Sequence, residues 1–341
     1  MKSPCKHSVF TKTALSAVLG MACTLGVALP AAAQTVSQTL VTFPDQGYAS
    51  IYNLINSAKS TVDMTMYELQ DSTAQADLCN AVSRGVTVRV ILDVNLEKSN
   101  NTAAYNQLNS CGVKVKWAYT KYQATHQKTI TIDAATSNAQ TAIMTANLTS
   151  RYYSTTRDFA VIENDANDIA AIEATFAKDY AHAAVTPSNG DDLVWSPTNS
   201  ESSLLGIINN AKTSLLVENE EMSDSAIVSA LKNAASNGVS VTIVMTNDDN
   251  DYASEFDELA SAGANISTYP DNSTSLYIHA KVIVADYGSA NQLAFVGSEN
   301  FSNASLTENR ELGLTTTNSS ILSQLESTLS NDYAGGTPWS D

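Results

Sequence analysis

Positive charge is scarce in this chain. Its 341 residues include 18 lysines and arginines but 35 aspartates and glutamates, which gives a formal net charge of −17. A surface this acidic does not attract phosphate backbones, so the composition argues against tight, nonspecific binding of nucleic acid. It also gives no attraction to anionic membrane surfaces. The composition therefore limits the possible partners without selecting one.

The start of the chain has the order of a secretory signal peptide. Three lysines precede an apolar run at 14–29, and a triplet of alanines ends at Ala33. We expect cleavage after Ala33 and a mature protein that is secreted or periplasmic. A retained membrane anchor is one alternative, although the run is shorter than a full span. A lipoprotein site at Cys23 is another, although the usual leucine three positions before the cysteine is absent.

Histidine is scarce too, with four in the chain and three after the predicted cleavage. Two of the three begin the same pattern, in which a lysine, an aspartate, an asparagine and an acid follow at matching distances. Every position in the second copy lies 153 residues after its counterpart, which indicates a tandem duplication. The two sets are His126, Lys128, Asp133, Asn147 and Asp158, and His279, Lys281, Asp286, Asn300 and Glu311. The third histidine, His182, has no counterpart, and we expect it at the surface or at a helix end.

The duplication extends over nearly the whole mature chain, which we divide into repeats at 34–190 and 191–341 after a signal peptide at 1–33. Within each repeat, helical and strand patterns alternate. This predicts an α/β fold of two α/β/α sandwich lobes with mixed sheets, related by a pseudo-twofold axis. In the first repeat the predicted helices are 47–59, 72–84, 101–110 and 166–180, and the predicted strands are 61–67, 86–93, 113–117 and 159–162.

The repeated polar set suits phosphoryl transfer. Residues two apart on a strand face the same side, so each histidine should project together with its lysine. One neutral imidazole can attack phosphorus while the other, protonated, supplies a proton to the leaving alkoxide. The lysines and asparagines can hold the nonbridging oxygens, which makes the phosphate-binding group Lys128, Lys281, Asn147 and Asn300.

The acids of the set have two predicted roles. Asp158 and Glu311 can each accept a hydrogen bond from the far nitrogen of a histidine and fix its tautomer. Asp133 and Asp286 lie at odd spacing from the histidines, so we expect them to be structural and to tie a strand end to a turn. A metal site is the alternative for such a cluster, but a lysine beside each histidine places a cation where the metal would lie. We therefore expect neither a metal nor another cofactor.

Two cysteines remain after the predicted cleavage, Cys79 and Cys111. In an oxidising compartment a disulfide between them is expected. It would close a loop of about 30 residues and contribute roughly 3 kcal/mol in the chain-entropy model. Two buried thiols are the alternative, because the second repeat has Lys232 at the position of Cys79 and does not need the bridge.

The two sets resemble the signature of the phospholipase D superfamily, His-x-Lys-x4-Asp followed by Gly-Ser-x-Asn. The segment 297–300 also matches, whereas Met144 replaces the usual first glycine in the other copy. The flanks at 66–68, 84–86 and 309–313 are similar to the bacterial phospholipase D-like and cardiolipin-synthase-like branch. The resemblance implies one site between the lobes, a phosphohistidine intermediate and no metal. It also implies His126 as nucleophile and His279 as general acid, and we expect Met144 to narrow the first phosphate pocket.

The resemblance favours a secreted phospholipase D that hydrolyses phospholipids to phosphatidic acid and an alcohol, with transient membrane contact and no obligate protein partner. A cardiolipin-synthase-like phosphatidyl transferase is less favoured, because we find no transmembrane helices. A nonspecific endonuclease is the other alternative, and nucleic acid its substrate. It would need a basic groove with stacking aromatics, for which the sequence offers Arg84, Arg89, Lys114, Lys116, Lys121 and Arg151 with Trp117, Tyr119, Tyr152 and Tyr153.

Overall fold

The computed structural model describes Met1 and residues 36–340. The predicted signal peptide and its cleavage site at Ala33 therefore lie outside the described residues. The part from Val36 onward is one compact unit.

The first half of this unit forms an eight-stranded sheet in the order β1-β7-β6-β5-β2-β3-β4, with β12 from the second half pairing to β7. Its own strands are β1 (Gln38–Phe43), β2 (Thr61–Met66), β3 (Thr87–Leu92), β4 (Lys114–Trp117), β5 (Thr129–Ile132), β6 (Gln140–Met144) and β7 (Thr156–Glu163). Its helices are α1 (Ala49–Ser57), α2 (Ser72–Ser83), α3 (Lys98–Ser110) and α4 (Ala166–Tyr180), with a 3-10 turn at Ser150–Tyr152.

The second half repeats this strand order, as β8-β15-β14-β13-β9-β10-β11, and adds β16 at the far edge. Its strands are β8 (Leu193–Ser196), β9 (Ser214–Glu218), β10 (Ser240–Asn247), β11 (Asn265–Pro270), β12 (Tyr277–Ile278), β13 (Val282–Ala285), β14 (Leu293–Gly297), β15 (Glu311–Thr316) and β16 (Thr337–Pro338). Its helices are α5 (Ser200–Asn210), α6 (Ser225–Ser236), α7 (Ala253–Ser261), α8 (Asn303–Thr307) and α9 (Ser319–Gly335).

Both sheets are mixed, because β2, β3 and β4 run parallel whereas β5 is antiparallel to β2, and the second sheet repeats this arrangement. The predicted α/β fold with two duplicated lobes is confirmed.

The two ends of α2 show how the sequence determines where a helix begins and ends. Asp71 caps the first turn by accepting from the backbone nitrogens of Thr73 and Ala74. Gly85 follows the last turn with φ +87°, a conformation that glycine adopts without strain.

The two sheets share a hydrophobic layer. Val161 and Phe159 of β7 belong to the same buried cluster as Val296 and Leu312 from the second half, and α9 contributes Leu325. Separate clusters lie beneath α1 to α3 in the first half and beneath α5 to α7 in the second. Because apolar burial is continuous between the halves, the repeats pack as one body rather than as two linked domains.

Two buried ion pairs also join the repeats, and they are related by the same offset of 153 residues. Arg157 donates to both carboxylate oxygens of Asp332, at 2.6 and 2.9 Å. Arg310 Nε lies 2.9 Å from the carboxylate of Asp179. Each arginine directly precedes the acid of a polar set, so these pairs hold the ends of β7 and β15 at the boundary between the lobes.

A disulfide links α2 to the end of α3. It joins Cys79 to Cys111, whose Cα atoms are 5.6 Å apart. Lys232, at the position of Cys79 in the second repeat, instead forms an exposed ion pair with Glu258 of α7. Within the described part of the chain, no helix combines the length and the apolar character needed to cross a membrane.

Candidate active site

The two His-x-Lys segments lie at the boundary between the lobes, and each is held by the backbone of the other repeat. The amide nitrogen of His126 donates to the carbonyl of Arg310 at 2.9 Å, and that of His279 donates to the carbonyl of Arg157 at 3.2 Å. We expected each pair to lie on a strand, but the strands begin just after the lysines, at Thr129 and Val282. The histidine end of each segment thus bonds to the opposite lobe, whereas the carbonyls of Lys128 and Lys281 accept from Met144 and Gly297 of their own repeats.

Both histidines line one cavity of about 880 Å³ between the repeats. The cavity receives side chains from both polar sets and from loops that follow the strands. Its lining also has an acidic side, from the second repeat, and several tyrosines, mainly from the first. The lining residues that matter below are His126, Asn147, Asp158, His279, Asn300, Tyr67, Arg151, Tyr152, Tyr153, Glu220, Glu221, Asp248, Asp271 and Tyr277.

The histidines pair with acids from the opposite repeats. His126 Nδ1 lies 2.7 Å from Glu311 Oε2, and His279 Nδ1 lies 2.8 Å from Asp158 Oδ1. Both acids are almost fully buried. Because the Nδ1 atoms are engaged, each imidazole has its Nε2 available for chemistry. The sequence predicted an acid partner for each histidine, and the structure shows that the pairing is crossed.

The surroundings of the two rings differ. Burial lowers the pKa of His126, and nearby Lys128 lowers it further, against the opposing effect of Glu311. The rings of Tyr67 and His126 pack edge to face, with centroids 4.6 Å apart. His279 instead has a second carboxylate beside it, because Glu220 Oε2 lies 3.6 Å from its Nε2. The first environment favours a neutral ring, whereas the second places negative charge at both ring nitrogens.

The acid beside His126 is held in its charged form. Burial acts to raise the pKa of Glu311, but His126 and Lys128 outweigh it and bring the pKa below its ordinary value. Ser305 and Asn309 donate to the other oxygen, Oε1, at 2.5 and 3.0 Å. A carboxylate with these donors is fixed in position, so it can hold the imidazole in one tautomer.

The two lysines are buried beside the histidines. Lys128 Nζ donates to the carbonyl oxygen of His126 at 2.7 Å, and Lys281 donates to that of His279. Burial lowers the pKa of Lys128 to about 7, and the positive charge of Lys281 contributes in the same direction. Lys281 has an acidic partner, Glu220, whose Oε2 lies 2.9 Å from Nζ.

The two asparagines lie at the cavity wall in matching positions. The side-chain oxygens of Asn147 and Asn300 are buried without a hydrogen-bond partner. The nitrogen of Asn300 donates to Glu221 Oε1 at 3.1 Å. Buried polar atoms without partners are uncommon, and these two recur at matching positions of the repeats.

Two of the three aspartates in the sets, Asp133 and Asp286, lie away from the cavity. Asp133 accepts from the backbone nitrogens of Lys59, Ser60 and Thr61 at 2.6 to 3.1 Å. Asp286 does the same with residues 212–214 in the second repeat. These bonds lower the pKa of both carboxyl groups although burial opposes the shift. Each aspartate thus ties the end of one strand to the start of another.

Met144 is not at the phosphate position. Its side chain is fully buried in the core of the first repeat, so the expected narrowing of the first pocket is wrong. In the second repeat the equivalent residue is Gly297, and a Cβ atom there would lie 2.4 Å from Glu299 Oε2. The first repeat has Ala146 at the position of Glu299. The large residue comes first in one repeat (Met144, then Ala146) and second in the other (Gly297, then Glu299).

Two further residues at the site, Glu220 and Tyr67, were not predicted to belong to it. The two residues occupy equivalent positions, 153 apart, and each contacts the histidine and lysine of its own repeat. The sequence signal for them is a difference between the repeats. Glu68 and Glu221 match at the offset of 153, but the residue before each differs, being Tyr67 in the first repeat and Glu220 in the second.

The basic residues considered for a groove do not gather at the cavity. Arg84 donates to backbone carbonyls, Arg89 pairs with Asp63, and Lys116 donates to the carbonyl of Tyr180. Of the six, Arg151 alone lines the cavity in the part of the chain that the structure describes.

The aromatic residues considered with them separate in the same way. Trp117 stacks on Tyr105, with ring centroids 4.4 Å apart, and Tyr119 stacks on His182. Tyr152 and Tyr153 do line the cavity.

Across residues 36–340, no group of three or more histidine, cysteine, aspartate or glutamate side chains is arranged to hold a metal ion. The two buried lysines lie beside the histidines of their own repeats.

Comparisons with known proteins agree with this arrangement. The family model described as "Cardiolipin synthase, PLD-like domain" matches the chain twice, at residues 51–180 and 204–333. No curated protein sequence matches the chain.

Among solved structures, the phosphatidylserine synthase of Haemophilus influenzae superposes with a TM-score of 0.66 at 12% identity, covering 86% of this chain and 85% of that one. The polyphosphate kinase of Porphyromonas gingivalis superposes with a TM-score of 0.68 at 13% identity. That match covers 87% of this chain, which spans half the length of the kinase. Nuc of Salmonella typhimurium, a phospholipase D family member, matches 44% of this chain at 23% identity with a TM-score of 0.40.

At these identities the superpositions show a shared fold and nothing finer. The family assignment rests on the two matches of the family model, which cover most of both repeats and include both His-x-Lys segments. With its duplicated lobes and its two His-x-Lys-x4-Asp sets at one cavity, this chain belongs to the phospholipase D superfamily.

Proposed function

We propose that the chain is a phosphodiesterase of phospholipase D type, which hydrolyses phospholipids to phosphatidic acid and an alcohol through a phosphohistidine. The observation that carries the proposal is the crossed pairing at one cavity. Each histidine has an engaged Nδ1, an available Nε2 and a carboxylate from the opposite repeat. This is the arrangement that two-step transfer between a nucleophile and a general acid requires.

In the first step, Nε2 of His126 attacks phosphorus, and the bond to the leaving alcohol oxygen breaks. His126 suits this role because burial favours its neutral form. His279 gives its Nε2 proton to the departing oxygen, and Asp158 stabilises the positive ring before that transfer. The two lysines and two asparagines hold the nonbridging oxygens as negative charge builds on them.

In the second step, a water molecule enters from the side of the departed alcohol. His279, now neutral, removes its proton, and the oxygen attacks phosphorus while the bond to His126 breaks. The product is a phosphomonoester, and both rings return to their starting forms. Every proton in this cycle moves through a histidine that a buried carboxylate orients, so the proposed reaction needs neither a metal nor another cofactor.

Phospholipid is the favoured substrate because of the charge around the cavity. Its lining has five acids, Asp158, Glu220, Glu221, Asp248 and Asp271, and the basic residues proposed for a nucleic-acid groove lie mostly elsewhere. A polyanionic strand would meet repulsion at this entrance. Tyr152 is half-exposed at the cavity beside Arg151, which suits brief contact with a lipid headgroup region.

We also propose that the protein acts outside the cytoplasm after cleavage near Ala33. An acidic, disulfide-linked chain is consistent with an oxidising compartment. In this proposal the mature chain begins after Ala33 and contains the two repeats, 34–190 and 191–341.

The test is product analysis by mass spectrometry with the mature protein in EDTA. One sample receives mixed phospholipid micelles, and another receives plasmid and single-stranded DNA. The expected result is phosphatidic acid from the lipid sample and intact DNA in the other. The His279→Ala variant, whose folding is checked by circular dichroism, should form no phosphatidic acid. Degraded DNA with unchanged lipid would contradict the lipid proposal. Activity that is lost in EDTA and restored by a divalent ion would contradict the metal-free mechanism.

A further inference from the structure

The second repeat has a negatively charged side chain where the mechanism places a phosphate oxygen. Glu220 Oε2 lies 2.9 Å from Lys281 Nζ and 3.6 Å from His279 Nε2. The amide nitrogen of Asn300 is 3.4 Å from the same oxygen. The other oxygen, Oε1, accepts from the hydroxyl of Tyr277 at 3.1 Å. The carboxylate of Glu220 thus contacts the lysine, the histidine and the asparagine of the second polar set.

The first repeat has no equivalent competitor. Tyr67, at the matching position, presents its ring to His126, and Lys128 Nζ lies 5.1 Å from the ring centroid. Over residues 36–340, no carboxylate lies within ion-pair distance of Lys128. The duplication therefore kept the phosphate ligands in both copies but placed a competing anion in one of them.

Glu220 is placed so that it can be displaced. Its side chain is 24% exposed and lines the cavity, whereas the Lys281 side chain that it contacts is fully buried. Burial acts to raise the pKa of Glu220, but His279 and Lys281 outweigh it and keep the pKa far below its ordinary value. At neutral pH the residue is therefore an anion, and a bound phosphate group must push it away from Lys281.

We propose that Glu220 makes the site select phosphodiesters against phosphomonoesters, including the product of the reaction. The inference rests on the proposed function, because it takes Lys281 and Asn300 as ligands of phosphate. Repulsion between Glu220 and a bound ligand increases with the charge of the ligand. A diester carries one negative charge and a monoester close to two at alkaline pH. Glu220 therefore opposes the monoester more strongly and favours its release.

The test is calorimetric binding of two small probes, dimethyl phosphate and methyl phosphate, at pH 7, where methyl phosphate already carries more charge than the diester and Lys128 keeps part of its own. In Glu220→Gln we expect methyl phosphate to bind at least about tenfold more tightly, and dimethyl phosphate to gain clearly less. Inhibition by short-chain phosphatidic acid should strengthen in the same variant. Asp248→Asn is the matched control, because it removes the same charge from the same cavity and has no contact with Lys281. It should shift both affinities by no more than about twofold.

Equal gains for both probes, or weaker binding of methyl phosphate in Glu220→Gln, would overturn the inference. Weaker binding would mean that Glu220 orders Lys281 instead of competing with its ligand. Lipid turnover measured on the same preparations separates this failure from a failure of the proposed function. Turnover without the expected change in affinity contradicts only the role of Glu220, whereas no turnover and no binding of either probe contradicts both.

Discussion

The crossed acid–histidine pairs predict that two similar substitutions will respond differently to the leaving group. Asp158→Asn weakens the charge partner of His279, the proposed general acid. Glu311→Gln weakens that of His126, the proposed nucleophile. General acid–base catalysis contributes about 10²- to 10⁴-fold to a rate. We therefore expect losses of this order in kcat/KM for both variants when the leaving group is an ordinary alcohol.

A nitrophenyl diester changes the requirement, because nitrophenolate leaves without a proton. For Asp158→Asn we expect the loss in kcat/KM to shrink below about tenfold, since kcat/KM reports only the steps up to alcohol release. Its second step still needs His279 as a base, so the variant should give a burst of nitrophenol followed by slow turnover. Glu311→Gln should keep its full loss, because a weakened nucleophile affects every substrate.

The assay is nitrophenol release followed by stopped flow, beside release of the natural alcohol from the same diester class. Equal losses for both variants on the nitrophenyl substrate would refute the separate roles. Rescue of Glu311→Gln with no rescue of Asp158→Asn would show that the two histidines have the reverse roles.

Three further predictions concern stability and pH. Arg157→Met removes the arginine that pairs with the buried carboxylate of Asp332. We therefore expect the free energy of unfolding, measured with urea, to fall by about 3–5 kcal/mol. Adding Asp332→Leu should recover much of this loss, because it removes the unpaired charge. Replacing Cys79 and Cys111 by serine should cost roughly 3 kcal/mol in the same assay and leave kcat unchanged, because the disulfide is not at the cavity. Burial lowers the pKa of Lys128 to about 7, so the ammonium that we propose binds phosphate is lost as pH rises through that value. The kcat/KM profile should fall on this alkaline side, and Lys128→Arg, whose charge persists, should lack that limb.

Much of the fold could be predicted because duplication doubles every signal. The strand predicted at 61–67 is Thr61–Met66, and the helix predicted at 166–180 is Ala166–Tyr180. A pattern that recurs at one offset is hard to attribute to chance, so lobes and polar sets followed from the sequence. Strands β1 and β8, each at one edge of its sheet, were not predicted. They are short apolar segments near the repeat boundaries, and their sequences carry no periodicity that would distinguish them from linkers.

The arrangement across the lobes could not be predicted in the same way. A symmetric pair of sets allows Asp158 to pair with the histidine of either repeat, and only the packing of β7 against the second lobe brings it to His279. The partner of Arg157 is 175 residues away in sequence, at Asp332, although both positions repeat at the offset of 153. The contacts of Glu220 with Lys281 and His279 were hidden for the opposite reason, because Glu220 lies where the two repeats differ.

Peptide mapping of the trapped intermediate would show directly which histidine bonds to phosphorus. Enzyme mixed with a phospholipid substrate is quenched in alkali, where phosphohistidine survives, and digested for mass spectrometry. We expect one phosphorus-modified histidine, His126, and a larger signal in Asp158→Asn when a nitrophenyl diester replaces the phospholipid, because only the second step is then slowed. Modification at His279, or no modified histidine during confirmed turnover, would contradict this expectation.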